Sequence, residues 1–308
     1  MTPFEYSRFL SRWAEAQDPD HAWLLSEGST RPDTLALRQS IEACISQPTS
    51  AFDQSIRQLR NRHQAGLIYR LLNGIDSFED TVAVTTALAE CFLQASLDHH
   101  RAILEGAFGT PAHPGFVVLG MGKLGGRELN LSSDIDIFCV FAEDGETRGP
   151  RVREHGEFFT RLTQQMAKSL DAQTVDGFVA RVDQRLRPWG SAGQLAIPVV
   201  ACEDYYEVHG REWERFALLK ARPVAGDLAL GDALLTTLRP FMYRKYLDFG
   251  VFESIRDLKS KIEAEVRRAG KETNVKVGRG GIREAEFVVQ AMQLLRGGQI
   301  PSLQVTGF

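Results

Sequence analysis

Apolar residues recur at helical spacing through the first third of the chain. Leu59, Leu67, Ile68, Leu71 and Leu72 follow that period, and so do Val84, Leu88, Cys91, Phe92 and Ala95. Asp18-Pro19, Arg31-Pro32, Gln47-Pro48 and Asn73-Gly74 fall between such runs and predict turns. The pattern changes at Pro111 and Pro114. Phe116 to Leu119 is a short continuous apolar run, as a buried strand requires, and the glycine-rich loop Gly120-Met-Gly-Lys-Leu-Gly-Gly126 follows it. Asp134 to Phe141 (DIDIFCVF) predicts a second strand, Phe178 to Arg187 a third, and Gln194 to Pro198 one more. Between them, Arg151 to Asp171 predicts a helix with Phe158, Phe159, Leu162, Met166 and Leu170 on its apolar stripe. From about Cys202 onward the pattern is mostly helical, apart from a short strand at Asn274 to Val277 and the glycine turn Gly278 to Gly281. A last helix runs from Ile282 to Leu295 and stops at Gly297-Gly298. The fold class predicted is α+β. A helical region (residues 1–112) precedes a core with a small sheet (113–200), and a mostly helical region (201–308) completes the site.

Composition narrows the function classes. The chain has 308 residues, 43% of them hydrophobic, which suffices for a large core. Its net charge of -4 gives no electrostatic case for nucleic acid as a partner. Cys44, Cys91, Cys139 and Cys202 are far apart with no C-x-x-C pair, which argues against zinc and a disulfide framework and fits a reducing cytoplasm. The opening MTPFEYSRFLSRW lacks the apolar stretch of a signal peptide, and no window approaches membrane-spanning length. The expectation is a cytoplasmic protein with no membrane partner.

Gly120-x-Gly122-x-x-Gly125 after a strand matches the dinucleotide-binding fingerprint, with Glu143 or Asp144 near the acidic position. That fingerprint requires a helix opening at the third glycine and a crossover of a dozen or more residues to a parallel strand. Only Gly126 to Ser133 separates the loop from the next strand, which leaves no room for it. A P-loop is excluded too, because Leu124 follows Lys123 where Ser or Thr should stand.

The candidate chemistry lies in the carboxylates. Alternation along DIDIF puts Asp134 and Asp136 on one face, with Ile135 and Ile137 on the other. Two such groups repel each other and are expensive to desolvate together, a conflict that divalent cations relieve. An exposed edge strand would tolerate them, but Phe138 to Phe141 are strongly apolar and suit a central strand. Alternation along Phe178 to Arg187 puts Arg181, Asp183, Arg185 and Arg187 on one face, with Val182 and Leu186 on the other, and a carboxylate beside arginines suits a triphosphate site. Alone, that segment reads as a salt-bridged outer strand; beside the D-x-D strand, the functional reading is the better one. The glycine loop serves either as a tight connection or as a close approach of backbone N–H groups to phosphates, with Lys123 adding charge.

These elements together resemble a known family. Leu119 to Asp136 (LGMGKLGGRELNLSSDID) closely resembles the bacterial bifunctional glutamine synthetase adenylyltransferase/adenylyl-removing enzymes. So do Arg181 to Pro188 (RVDQRLRP), Tyr205-Tyr206 with Gly210 to Arg215, Lys220 to Pro223 (KARP), Gly280 to Phe287 and Arg296 to Gly298. The resemblance spans Leu119 to Leu303, and the first hundred residues add little to it. It implies a nucleotidyltransferase core of the DNA polymerase β-like kind. Asp134, Asp136 and Asp183 would be catalytic and would hold Mg²⁺. The nucleotide- and phosphate-binding candidates are Gly122, Lys123, Gly125, Gly126, Ser133, Arg185, Arg187, Lys220 and Arg222.

Family members carry two such domains, one removing AMP from a tyrosine of glutamine synthetase by phosphorolysis and one attaching it from ATP. The segments WERFALLKARPVAGD, VFESIRDLKSKI and GRGGIREAEFVVQAMQLLRGG look like the N-terminal, adenylyl-removing half. The implied partners are adenylylated glutamine synthetase, ADP or ATP, phosphate and a PII-type nitrogen signal protein. ATP-dependent adenylylation is the second reading, and a non-catalytic module sensing that signal protein the third. Because family members continue into a second domain, the chain is expected to be part of a longer one. Gln184 and Arg279 depart from the family pattern at positions without expected chemistry. Glu284 and Glu286 read first as helix N-terminal carboxylates, His99-His100 as a solvated helix end, and Tyr205, Tyr206 and Trp213 as packing residues.

Overall fold

A computed structural model describes residues 2–149, 151–243 and 280–307, with residues 256, 259–260, 263–264, 266–268, 270, 274–276 and 278 between them. The N-terminal region is helical as its periodicity predicts: α1 (Pro3–Tyr6), α2 (Arg8–Gln17), α3 (Ala22–Leu25), α4 (Thr34–Glu42), α5 (Thr49–Leu72) and α6 (Phe78–Phe108). Ser77 starts α6 with a capping box, its side chain accepting from the Asp80 N–H while Asp80 reaches back to the Ser77 N–H. Next come β1 (Thr110–Pro111), β2 (Phe116–Met121), the single turn α7 (Gly122–Gly125), β3 (Ile135–Phe141), β4 (Thr147–Arg148) and α8 (His155–Asp171). The chain continues through β5 (Val182–Asp183), β6 (Ala196–Pro198), α9 (Val199–Val208), α10 (Glu212–Leu218), β7 (Arg222–Gly226) and α11 (Leu228–Met242). The helix Ile282–Arg296 is α12 here.

The five-stranded sheet is mixed. β2 pairs antiparallel with both β3 and β7, while β5 and β6 run parallel to β3. The antiparallel β2–β3 pair excludes the parallel crossover of a dinucleotide fold. Both faces of the sheet are covered, which explains the unbroken apolar runs. Val118, Ile135, Ile137 and Cys139 pack with Phe92, Phe158 and Met166 of α6 and α8. Val117, Leu119, Phe138 and Val140 pack with Tyr206, Leu234 and Leu238 of α9 and α11. Asp136 lies opposite Met121 on that second face, where the apolar cover runs out.

Four expectations need correction. The strand foreseen from Phe178 to Arg187 contains only Val182 and Asp183, and Arg185 and Arg187 lie in the turns beyond it. The reason is competition for one edge: β5 pairs with Ile135 and Asp136, β6 with Cys139 to Phe141, and residues 184–195 loop out between them. β7 stands in a stretch expected to be helical. It is an edge strand containing Pro223, and the register slips opposite it between Val118 and Leu119, as a residue without an N–H demands. Asn274 to Lys276 form a turn, not a strand, with carbonyls of Val275 and Lys276 accepting from Ile282 and Arg283; Val277 and Arg279 lie outside the described residues. His99 and His100 are buried, not solvated, and pack on Phe52.

The buried imidazoles carry a pH dependence. Burial, helped by neighbouring positive charge, lowers His63 and His100 to about 4 from 6.5, and neither Nε2 has a hydrogen-bond partner. Between those values the unfolded chain binds more protons than the folded one, so stability falls as pH drops from 6.5 towards 4 and is unaffected above that window. The urea midpoint is therefore expected to decline from pH 7 to pH 4.5, and less steeply in a His63→Leu/His100→Leu variant. Parallel declines in the two proteins would show that the histidines are not responsible.

Candidate active site

The glycine turn is fixed from both sides. Gly122 has φ +51°, and a Cβ there would stand 2.9 Å from the Asp136 carboxylate, so the turn passes directly over that group. A Cβ on Gly125 would lie 1.8 Å from the Lys220 carbonyl oxygen and 2.5 Å from that of Gly120. Arg222 at the start of β7 donates to the carbonyls of Leu124 and Gly125 at 3.1 Å and pairs with Glu90 of α6. The Lys220 ammonium lies between Glu128 at 2.8 Å and Glu286 of α12 at 3.2 Å. Lys220, Arg222 and the buried Gly126 thus brace the turn from behind, while Lys123 is half-buried within it.

The carboxylates converge as alternation and register require. Asp136 is the direct neighbour of Asp183 across the parallel β3–β5 pair, a spacing of about 4.8 Å between strands. Asp134 precedes β3 and accepts a hydrogen bond from Arg181, which also donates to the Ser132 carbonyl at 2.6 Å. Asp183 accepts from the Arg185 backbone N–H at 2.9 Å and from its guanidinium, and these hydrogen bonds hold it below the usual carboxylate range. The Asp136 carboxylate makes no hydrogen bond or ion pair among the described residues. Burial, then the charges of Asp183 and Asp134, push it up to about 6, while Arg185 and Lys276 pull the other way.

Lys276, whose charge also acts on Asp136, was not singled out from the sequence. Its only signal was a basic residue beside a glycine turn, and nothing in the spacing directs it to Asp136. Arg187 comes close enough for its charge to act on Asp183, but its guanidinium donates to the carbonyls of Gln184 at 2.6 Å, Gly193 at 3.0 Å and Ser191 at 3.1 Å. It pins the turn after β5. Ser133 sits half-buried before β3, its N–H bonded to the Asn130 carbonyl. Glu284 accepts from the Gly280 N–H and pairs with Lys259, and Tyr205 donates to Glu214 at 2.6 Å.

Among the described residues, no group of three or more His, Cys, Asp and Glu side chains is gathered as a preformed metal cage. Arg181 and Arg185 draw two of the three carboxylates aside. The donor set nonetheless suits a hard divalent cation, and the half-buried Asp136, with no partner among the described residues, is the group such a cation would relieve.

A small mixed sheet with acidic residues on adjacent strands, under a glycine turn, is the frame of a nucleotidyltransferase. Residues 5–237 match the family model described as glutamate-ammonia ligase adenylyltransferase, and residues 256–306 match that of GlnD PII-uridylyltransferase. The chain belongs to the glutamate-ammonia ligase adenylyltransferase family. It is 45% identical over 280 residues to a bifunctional glutamine synthetase adenylyltransferase/adenylyl-removing enzyme of Thioalkalivibrio sulfidiphilus, covering 89% of this chain and 29% of that protein. The enzyme of the same description from Pseudomonas aeruginosa is 48% identical over 276 residues, covering 87% of this chain and 28% of its own. The chain thus spans less than a third of the length of these relatives. No described helix is long and apolar enough to cross a membrane.

The turn geometry predicts opposite outcomes for two glycines. Gly125→Ala must displace the backbone at Lys220 and is expected to cost about 3 kcal/mol or more of unfolding free energy. Gly106→Ala, on α6 with nothing within 4 Å, is expected to gain about 0.5–1 kcal/mol. Chemical denaturation checks both, and equal effects would contradict the crowding at Gly125.

Proposed function

We propose that this chain removes AMP from the adenylyl-tyrosine of glutamine synthetase by phosphorolysis, taking in inorganic phosphate and releasing ADP. The observation that carries the nucleotidyl-transfer part is Asp136: a half-buried carboxylate between Asp134 and Asp183, without a partner among the described residues. A non-catalytic module has no use for so unfavourable an arrangement. The direction of transfer rests on the resemblance of WERFALLKARPVAGD and GRGGIREAEFVVQAMQLLRGG to the adenylyl-removing half. The names of the relatives supply glutamine synthetase as the target, and a PII-type signal protein is the proposed regulatory partner.

Asp134, Asp136 and Asp183 would hold Mg²⁺ once Arg181 and Arg185 have swung aside. Mg²⁺ there would supply positive charge to the oxygens that attack and leave at phosphorus. A phosphate oxygen forms the new bond to the α-phosphorus, the bond to the tyrosine oxygen breaks, and the phenolate leaves to take up a proton. Lys123 and the displaced Arg185 would screen the phosphate oxygens, and Gly122 would let the turn approach them. Lys220, Arg222 and Arg187 act by holding the turns in place.

Asp136→Asn is expected to lower turnover by at least about 10²-fold, by analogy with loss of a single electrostatic stabiliser. It should leave the melting temperature unchanged or raise it, because a repelled carboxylate is removed. The assay follows ADP released from adenylylated glutamine synthetase with Mg²⁺ and phosphate. Phosphate-dependent ADP, lost in the variant, supports the reading. AMP transferred from ATP to unmodified synthetase would reverse the direction, and near-normal turnover in Asp136→Asn would remove the carboxylates from the mechanism.

A further inference from the structure

Behind the acidic strand, on the opposite face of β3 from Asp136, lies a cavity of about 130 Å³ between α5, α6, α8 and the segment leading into β5. Its walls are mostly apolar, with Leu67, Leu88, Ala89, Phe92, Ile135 and Leu170 contributing. An apolar cavity of about 150 Å³ accommodates benzene, so this one fits a body of four to six carbons. Two cations also line it, Arg60 and Arg181. Both lie over the ring of Phe178, with Cζ 5.4 Å and 5.5 Å from its centroid. Arg181 is paired with Asp134. Arg60 donates to the Asn61 amide oxygen at 3.0 Å, and no carboxylate among the described residues pairs with it. Burial and the charge of Arg181 lower Arg60 to about 10, so the neighbourhood is short of negative charge.

We infer that this cavity binds a small carboxylate with an apolar body of four to six carbons, its headgroup accepting hydrogen bonds from Arg60 and Arg181. The apolar walls take the hydrocarbon, and the two guanidiniums supply charge-assisted donors that a planar carboxylate matches. Such a ligand competes with Asp134 for Arg181. Occupancy therefore loosens the Arg181–Asp134 pair and frees Asp134 to turn towards Asp136. By reciprocity, a cation held by the acidic residues tightens binding of the carboxylate. Only this coupling rests on the proposed function; binding in the cavity does not.

The probe is 4-methylpentanoate, titrated calorimetrically into the chain in EDTA and again in Mg²⁺. Saturable binding at one site is expected, weakened about tenfold or more in Arg60→Gln, for 4-methylpentanamide and for acetate. Ala89→Leu, which narrows the cavity, is expected to weaken it as well. Arg60→Gln gives up the hydrogen bond to Asn61 and the contact with the Phe178 ring, so a modestly lowered melting temperature with a retained cooperative transition is expected. Absence of saturable binding, or equal affinity in Arg60→Gln or for the amide, would overturn the site. Tighter binding in Mg²⁺ supports the link through Arg181. If Mg²⁺ binds the chain but leaves the affinity for 4-methylpentanoate unchanged, the link is overturned. If Mg²⁺ does not bind at all while 4-methylpentanoate still does, it is the reading of the carboxylates that fails.

Discussion

Asp136 and Asp183 stand side by side because β3 and β5 run parallel and in register at that point, and the rest of the site is arranged around the repulsion this creates. Burial and two like charges push Asp136 up to about 6, so keeping it ionised at neutral pH costs the folded state on the order of 3 kcal/mol. The apolar layers on both faces of β2 and β3 offset that cost. They also fix it in place, since a slip of one residue in β3 would carry Phe138 and Val140 out of one core and Asp136 into the other. The sheet therefore cannot relax the repulsion by shifting register.

The N-terminal helices supply none of the quoted motifs, yet the family match begins at residue 5 and includes them, and they position much of the candidate site. Glu90 of α6 holds Arg222 against the glycine turn, and Thr86 of the same helix accepts from the Leu129 N–H just beyond it. Arg57 of α5 is almost wholly buried and donates to the carbonyls of Ser169, Ala172 and Gly177. Those carbonyls belong to the end of α8 and the turn that feeds β5, so Arg57 helps to set where Asp183 emerges. Hydrogen bonds from a charged donor to several carbonyls make such a brace costly to remove.

What was legible in the sequence was what periodicity encodes. The alternation in DIDIF placed Asp134 and Asp136 correctly relative to Ile135 and Ile137, and the stripe of Phe158, Phe159, Leu162, Met166 and Leu170 is buried throughout. The short spacing after Gly126 correctly excluded a crossover helix. What failed depended on tertiary pairing. The length of β5 is set by competition with β6 for one edge, which no local pattern reveals. β7 was hidden because Pro223 makes its five residues look unlike a strand until the register slip beside it is known. Arg187 was expected on a strand face among phosphates, and Arg57 and Arg215 carry no local signal of burial, whereas each is buried and satisfied in part by main-chain carbonyls. The charge of Lys276 acts on Asp136 although the residue lies nearly a hundred positions beyond Asp183, an influence that only the folded chain makes visible.

Arg181 and Arg185 act as a pair, because each occupies a carboxylate that would otherwise add to the repulsion on Asp136. Both ion pairs are formed from within the β5 segment: Arg181 immediately before the strand to Asp134, Arg185 just after it to Asp183. Asp183 is largely buried whereas the Arg185 side chain is 80% exposed, so this latch holds an inner group with an outer one and can open without disturbing the core. Half of the Arg181 side chain is likewise in solvent. Exposed ion pairs contribute little net stability and exchange readily. On the proposed reading, the arginines would neutralise the acidic residues and would give way to a divalent ion at small cost. An inner pair would have made the same exchange prohibitive, because breaking it would strand a buried charge.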